Sequence, residues 1–177
     1  MRAAMTIAII FVVVLIGILG FAATKPNTLN IQRVADIKAP PERIFALIND
    51  FHNWHPWAPP DKMDSTMKRT FGGMVSGKGA SSEWVSKGNA GCGRMEITES
   101  TAPFKITLRV DFVKPFEAHN INEFTLQPMN DTTRVTWAMR GTNPYIAKVM
   151  SIFVNMDRML GKHLEAGLHS LKTLSEQ

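Results

Sequence analysis

The stretch "DFHNWHPWAPPD", Asp50 to Asp61, gathers two histidines, two tryptophans, three prolines and two aspartates into twelve residues. His52 and His55 are three apart, a spacing that puts both rings on one face of a helix, and Asp50 or Asp61 would add a carboxylate to a metal set. Pro56 directly after His55 disfavours helix at that residue. No HExxH pattern, paired cysteine or third nearby histidine accompanies them, since His119, His163 and His169 fall on a later strand and on the last helix. The expectation is no metal at this corner. Three readings remain for it: packing, with Trp54 and Trp57 capping a core or cavity and each indole N–H finding a partner; gating of a ligand; and immersion of the rings at a membrane interface.

Other groups with chemical potential carry weaker patterns. "GGMVSGKG" sets Gly72 and Gly77-Lys78 at the spacing of a phosphate loop, but Gly79 stands where Ser or Thr would hold magnesium. "ASSEWV" after it reads as strand rather than the helix whose N-terminus binds phosphate, so the segment reads as a hairpin turn. Cys92, the single cysteine, lies in the glycine turn "GCGR" with no sign of an electropositive niche, and being alone it excludes an intrachain disulfide. For acid–base work the candidates are Glu83, Glu99, Asp111, Glu123 and Arg109. Alternation puts Arg109 and Asp111 opposite Val110 and Phe112, hence toward solvent, and no buried acid emerges.

Hydrophobic spacing predicts the elements that position these residues. "IQRVADIKA" alternates in strand fashion, and "PPERIFALIND" changes to helical spacing after prolines suited to a first turn. From Asp64 to Thr142, period-two segments are separated by "FGG", "KGNAGCG", "TAP", "KPFE" and "PMND", which predicts six strands in an antiparallel meander. Met95, Ile97, Ile106, Leu108, Val110, Phe112, Phe124, Leu126, Val135, Trp137 and Met139 share an inward face, against Arg94, Glu96, Lys105, Arg109, Arg134 and Arg140 outward. After Asn143-Pro144, an apolar stripe from Ile146 through Val149, Phe153, Met156, Leu160, Leu164, Leu168 and Leu171 to Leu174 predicts one helix of about thirty residues. This order predicts an α+β fold in which a strongly curved, seven-stranded antiparallel sheet wraps its long C-terminal helix and leaves an interior gap.

The first 24 residues differ from the rest. After Arg2 no charge appears until Lys25, and "TIAIIFVVVLIGILGFAA" is almost wholly apolar. Such a run is long enough to span a bilayer and longer than the usual core of a cleavable signal, although Gly20-Phe21-Ala22 offers small residues at the positions a signal peptidase inspects. The favoured reading is an uncleaved single-pass anchor over residues 1–24 with a tether over 25–30. The domain at 31–177 is then on the exported, periplasmic or extracellular, side, with the cytoplasmic side as the alternative. The chain has 20 Lys and Arg against 15 Asp and Glu, scattered without a basic block, so nucleic-acid binding is not expected.

Several segments together resemble the START-like SRPBCC superfamily, specifically bacterial proteins described as polyketide cyclase/dehydrase-like. They are the A-P-x-x-x-I-F-x-x-I-x-D entry at Ala39 to Asp50, Gly-x-Gly-Ala at Gly77 to Ala80, Glu83-Trp84, "FVKPFEA" at Phe112 to Ala118 and "TRVTW" at Thr133 to Trp137. The likeness covers about Asn30 to Leu174. It implies a helix-grip fold with a hydrophobic cavity between sheet and C-terminal helix, used across the superfamily for lipids, sterols, quinones and polyketides. It does not imply one reaction. The corner "NWHPWAPPD" departs from the usual pattern of this superfamily, so ligand identity does not carry over.

The expectation is a membrane-anchored, monomeric START-like domain without a cofactor. It binds a lipid, isoprenoid or polyketide-like molecule in a cavity walled by Trp54, Trp57, Trp84, Leu108, Val110, Phe112, Phe124, Trp137, Met139, Phe153 and Met156. A cyclase/aromatase-type enzyme using the same cavity and a structural envelope protein with a filled cavity are the alternatives.

Overall fold

In a computed structural model that describes residues 2–59, 64, 66–88, 90–114 and 117–177, with side chains from Met5 onward, the apolar N-terminal segment forms one helix, α1 (Arg2–Ala23). Its apolar segment Met5–Ala23 has 19 residues. At about 1.5 Å of rise per residue that is about 28 Å, close to the ~30 Å hydrocarbon core of a bilayer. Only 6% of its most apolar window is buried, so it is not a core helix of the domain that follows. It ends where Thr24 and Lys25 donate backbone N–H groups to the carbonyls of Phe21 and Ala22, just before Pro26.

The strands are β1 (Thr28–Ile37), β2 (Lys68–Gly73), β3 (Ala80–Val85), β4 (Cys92–Thr101), β5 (Lys105–Lys114), β6 (Ala118–Met129) and β7 (Thr132–Thr142). They form one sheet in the order β1-β7-β6-β5-β4-β3-β2 with every neighbouring pair antiparallel. Register shifts at Cys92/Gly93 and Ile97/Glu99 bend β4, which curves the sheet. The predicted inward set is buried or half-buried along β4 to β7, and its charged alternates are exposed or half-exposed. One turn is shifted: "FGG" closes β2, and the reversal runs from its last residue, Gly73, through Gly77 and Gly79, all three at positive φ.

Because all pairs are antiparallel, the starts of β1, β2, β4 and β6 and the ends of β3, β5 and β7 lie at one end of the sheet. That is the end joined to α1. From the opposite end the chain enters α2 (Pro41–Ile48), where Pro41 sits in the first turn and Ile44, Phe45 and Ile48 are buried. A 3-10 turn at Phe51–Asn53 follows, capped by Asp50, whose side chain accepts from the His52 N–H.

The C-terminal stripe is not one helix. It is divided into α3 (Tyr145–Phe153) and α4 (Met156–Ser175). Val154 is extended, at φ −124° and ψ 128°, and the Asn155 side chain accepts the Arg158 N–H, so Asn155 starts a new helix rather than continuing the old one. As a result Leu164, Leu168 and Leu171 are buried as expected, while Ile146 and Phe153, expected on the same buried stripe, are exposed.

α4 runs beside β1 and is fixed to it by charge. Arg33 Nη2 meets Asp157 Oδ2 at 2.9 Å and Arg33 Nε meets Glu165 Oε1 at 2.6 Å, while Lys172 Nζ donates to the Asp36 carbonyl at 2.6 Å. The hydrogen bond that Arg33 donates to Asp157, with the one it donates to Glu165, holds its pKa above the ordinary value. The fold is a helix-grip: a curved antiparallel sheet with one apolar face closed by the C-terminal helix. Closure depends on Gly167, where a Cβ would stand 2.6 Å from the Trp137 ring and 3.0 Å from Pro59. Gly167→Ala would gain about 1 kcal/mol of helix propensity but overpack a rigid ring at about 1–3 kcal/mol. The expected outcome is a net loss of stability, read as a lower urea midpoint of the detergent-solubilised chain.

Candidate functional site

The residues of the aromatic corner converge on the inner face of the sheet. Trp57 is fully buried, with ring centroids 6.2 Å from Phe124 and 6.1 Å from Trp137, and the Trp54 ring lies 4.8 Å away at a tilt of 50°. Phe124 and Trp137 are themselves in contact across β6 and β7 at 4.7 Å. Each indole is satisfied: Trp54 Nε1 donates to the Ile48 carbonyl at 2.9 Å, Trp57 Nε1 to Leu47 at 3.3 Å and Trp84 Nε1 to Ala90 at 3.0 Å. Trp137 Nε1 donates to the Asn122 side-chain oxygen at 2.9 Å. At this level the space between sheet and α4 is occupied by rings.

The histidines of the same stretch point elsewhere. His52 and His55 are exposed; His52 Nδ1 lies 2.7 Å from Asp50 Oδ1 and its ring stacks on Phe71 at 4.1 Å. With Phe51, Met67 and Arg69 they line an open surface hollow of about 310 Å3. Among the described residues no group of three His, Cys, Asp or Glu stands together as a metal set, and Asp61 lies outside the described residues.

Toward the α1 end the inner face is less closed. Trp84, Leu108 and Val110 are buried, with Trp84 edge-on to Phe112 at 5.2 Å, whereas Phe112, Met139 and Met156 are half-buried. Phe153, expected in this wall, is 71% exposed on α3 and stands apart from it. Asn122 was not singled out by sequence reasoning. It is buried and in phase with Phe124 and Leu126, while Ile121 beside it is 41% exposed, so the period of β6 already marked it as an inward amide.

The ionisable candidates lie on the outer face. Lys105 bridges Glu99 at 3.2 Å and Glu123 at 3.3 Å; Arg109 bridges Glu96 at 3.3 Å and Asp111 at 3.1 Å; Arg94 approaches Glu83 at 3.9 Å. The hydrogen bond from Lys105 lowers the Glu99 pKa, so that carboxylate is held ionised rather than poised to donate a proton. His119 Nδ1 lies 2.8 Å from Asp111 Oδ1, and this hydrogen bond raises its pKa.

A curved antiparallel sheet whose largely apolar inner face is closed by a C-terminal helix defines the START-like, helix-grip class. Within that class the chain belongs to the family described as "Polyketide cyclase / dehydrase and lipid transport", whose sequence profile matches residues 28–176. No curated protein matches the sequence significantly. Among solved structures, protein CV1439 of Chromobacterium violaceum is similar at 18% identity and a TM-score of 0.59, covering 86% of this chain and 99% of its own. TTHA0849 of Thermus thermophilus is similar at 16% identity and a TM-score of 0.60, with 82% and 95% covered. The Aha1 dimer of Colwellia psychrerythraea, at 18% identity and a TM-score of 0.55, covers 84% of this chain and 96% of its own. These likenesses are likenesses of fold.

Two outcomes follow from the geometry. Trp57→Ala removes a fully buried ring and is expected to cost about 3–5 kcal/mol, whereas the double change His52→Ala and His55→Ala at the surface should cost less than about 1 kcal/mol, both read by chemical unfolding. Asp111→Asn should bring the raised His119 pKa back toward the ordinary histidine value, followed by NMR titration of the ring. The sign is fixed by linkage: the pairing stabilises fully below the unfolded-state pKa, and that contribution fades as pH rises through the raised value.

Proposed function

We propose that the chain is a membrane-anchored helix-grip domain that binds a hydrophobic small molecule of lipid, isoprenoid or polyketide-like chemistry between sheet and helices, without catalysing a reaction on it. The observation that carries the reading is the separation of the two sheet faces. Glu83, Glu99, Asp111 and Glu123 lie outward among basic partners, while the inner face offers apolar surface, the Asn122 amide bonded to Trp137 and, at its two edges, Arg33 paired with α4 and Arg69 bonded to the buried Ser82 hydroxyl. Family membership supports a hydrophobic-ligand-binding domain.

We place the ligand at the α1 end, against Trp84, Val110, Phe112, Met139 and Met156. Trp54, Trp57, Leu108, Phe124 and Trp137 serve as the fixed wall behind it. Thioethers adapt to irregular apolar shapes, which suits Met139 and Met156 to this place. Enclosing about 300 Å2 of ligand surface at about 25 cal/mol per Å2 gives about 7.5 kcal/mol before the costs of association.

In this reading residues 1–24 are a retained anchor, 25–30 a tether that passes into β1, and 31–177 the binding domain. The N-terminus is inside, the domain is on the exported side, and the protein acts as a monomer.

Native mass spectrometry and organic extraction of the purified full chain should recover a co-purifying lipid-like molecule, and the chain should bind fluorescent lipid probes. Met139→Arg should weaken probe binding at least tenfold, while Glu83→Gln, Glu99→Gln and Glu123→Gln together leave it unchanged. Recovery of no such molecule together with no probe binding would remove the reading. Turnover of a polyketide-like substrate lost in the triple carboxylate variant would replace it with an enzyme.

A further inference from the structure

Helix α3 shows solvent the wrong face. Its one charged residue, Lys148, is 7% exposed and turned inward, where its Nζ donates to Asn27 Oδ1. Ile146, Met150 and Phe153, spaced i, i+4 and i+7 on one side of the helix, are 58%, 45% and 71% exposed. Tyr145 and Val154 extend the apolar exposure at its two ends. Scattered apolar residues on a surface need no explanation, but a whole helix face does, because a surface helix normally turns that face to the core.

Its position says what covers the face. The Tyr145 hydroxyl donates to the Leu19 carbonyl at 2.7 Å, so the first turn of α3 touches the last turns of α1. Asn143 donates its backbone N–H to the Asn27 carbonyl at 2.8 Å and its amide to the Pro26 carbonyl at 3.0 Å, which fixes the start of α3 beside the exit of α1. If Met5–Ala23 crosses a bilayer, Leu19 lies about 6 Å inside the end of the span, four residues at about 1.5 Å each. A helix in hydrogen-bond contact with that carbonyl cannot stand clear of the lipid.

We infer that α3 is a second membrane contact: an interfacial helix lying along the bilayer surface beside α1, with Ile146, Met150 and Phe153 immersed at the boundary of headgroups and acyl chains and Lys148 turned to the domain. This rests on the reading of α1 as a retained span. The bilayer then bounds the α1 end of the sheet, where Phe112, Met139 and Met156 are half-buried, and a hydrophobic ligand passes from lipid to the inner face without crossing water.

The test uses the full chain carrying Cys92→Ser, reconstituted in phosphatidylcholine vesicles. Single nitroxide labels are introduced through Met150→Cys, Phe153→Cys, Thr173→Cys or Val13→Cys, and collision with oxygen is compared with collision with a water-soluble nickel complex. Labels at 150 and 153 should show an oxygen-to-nickel ratio several-fold above that at 173, and the label at 13 a higher ratio still. Ile146→Cys supplies a further reporter on the same face should either α3 variant fail to fold. A lipid-like ratio at 13 with water-like ratios at 150 and 153 overturns the inference and leaves the anchor standing. Water-like ratios at all sites remove both. Spin–spin broadening at 153 with shielding from both reagents shows a second copy of the chain on this face and also overturns it.

Discussion

Trp57 lies between the rings of Trp54, Phe124 and Trp137, and α4 closes over that group at a position that tolerates no side chain, Gly167. A seven-stranded sheet with one apolar face must cover it, and a single helix about 10 Å wide covers only part of so broad a surface. The remaining area is closed by the corner after α2, which sends two indoles inward and satisfies both N–H groups on the carbonyls of Ile48 and Leu47. The cost of burying those polar atoms is thereby avoided, and the rings contribute their full apolar area. The close placement of α4 over the inner face follows from this contact.

Charge sets the orientation that the rings leave open. The outer face is a lattice of exposed pairs, each worth little in water. Arg33 is different: it extends from β1 toward α4, and its guanidinium meets carboxylates two turns apart on that helix, Asp157 and Glu165. A planar fork held at two points resists both sliding and rotation of α4 along β1. Lys172, bonded to the Asp36 carbonyl and to Glu176 at 2.6 Å in each case, fixes the other end of α4.

Much of this was legible in the sequence because the sheet obeys period two. The inward rows of β4 to β7, the helical entry at Pro40-Pro41 and the outward carboxylates all follow from spacing alone. The C-terminal region differs from its pattern for a physical reason: apolar residues at steps of three and four specify a face, not the partner that the face meets. Ile146 and Phe153 fit the stripe but belong to a separate helix, and the sign of the break was Asn155, a residue suited to N-capping, ahead of the acidic Asp157. Asn122 escaped notice because polarity reads as a mark of the outer face, when its phase with Phe124 placed it inside.

The two ends of the grip differ in a way that matches opposite demands. Far from α1, large rings fill the interior in fixed contacts, and such packing resists any change of shape. At the α1 end Phe112 and Met139 pack on the inner face but stay half-buried, beside a helix whose exposed face is apolar. A domain that only needed stability would bury Ile146, Met150 and Phe153 against its own sheet, since that area is worth several kcal/mol at about 25 cal/mol per Å2. Leaving the area outward is costly in water but not at a lipid surface, which is the balance the proposed interfacial contact of α3 requires.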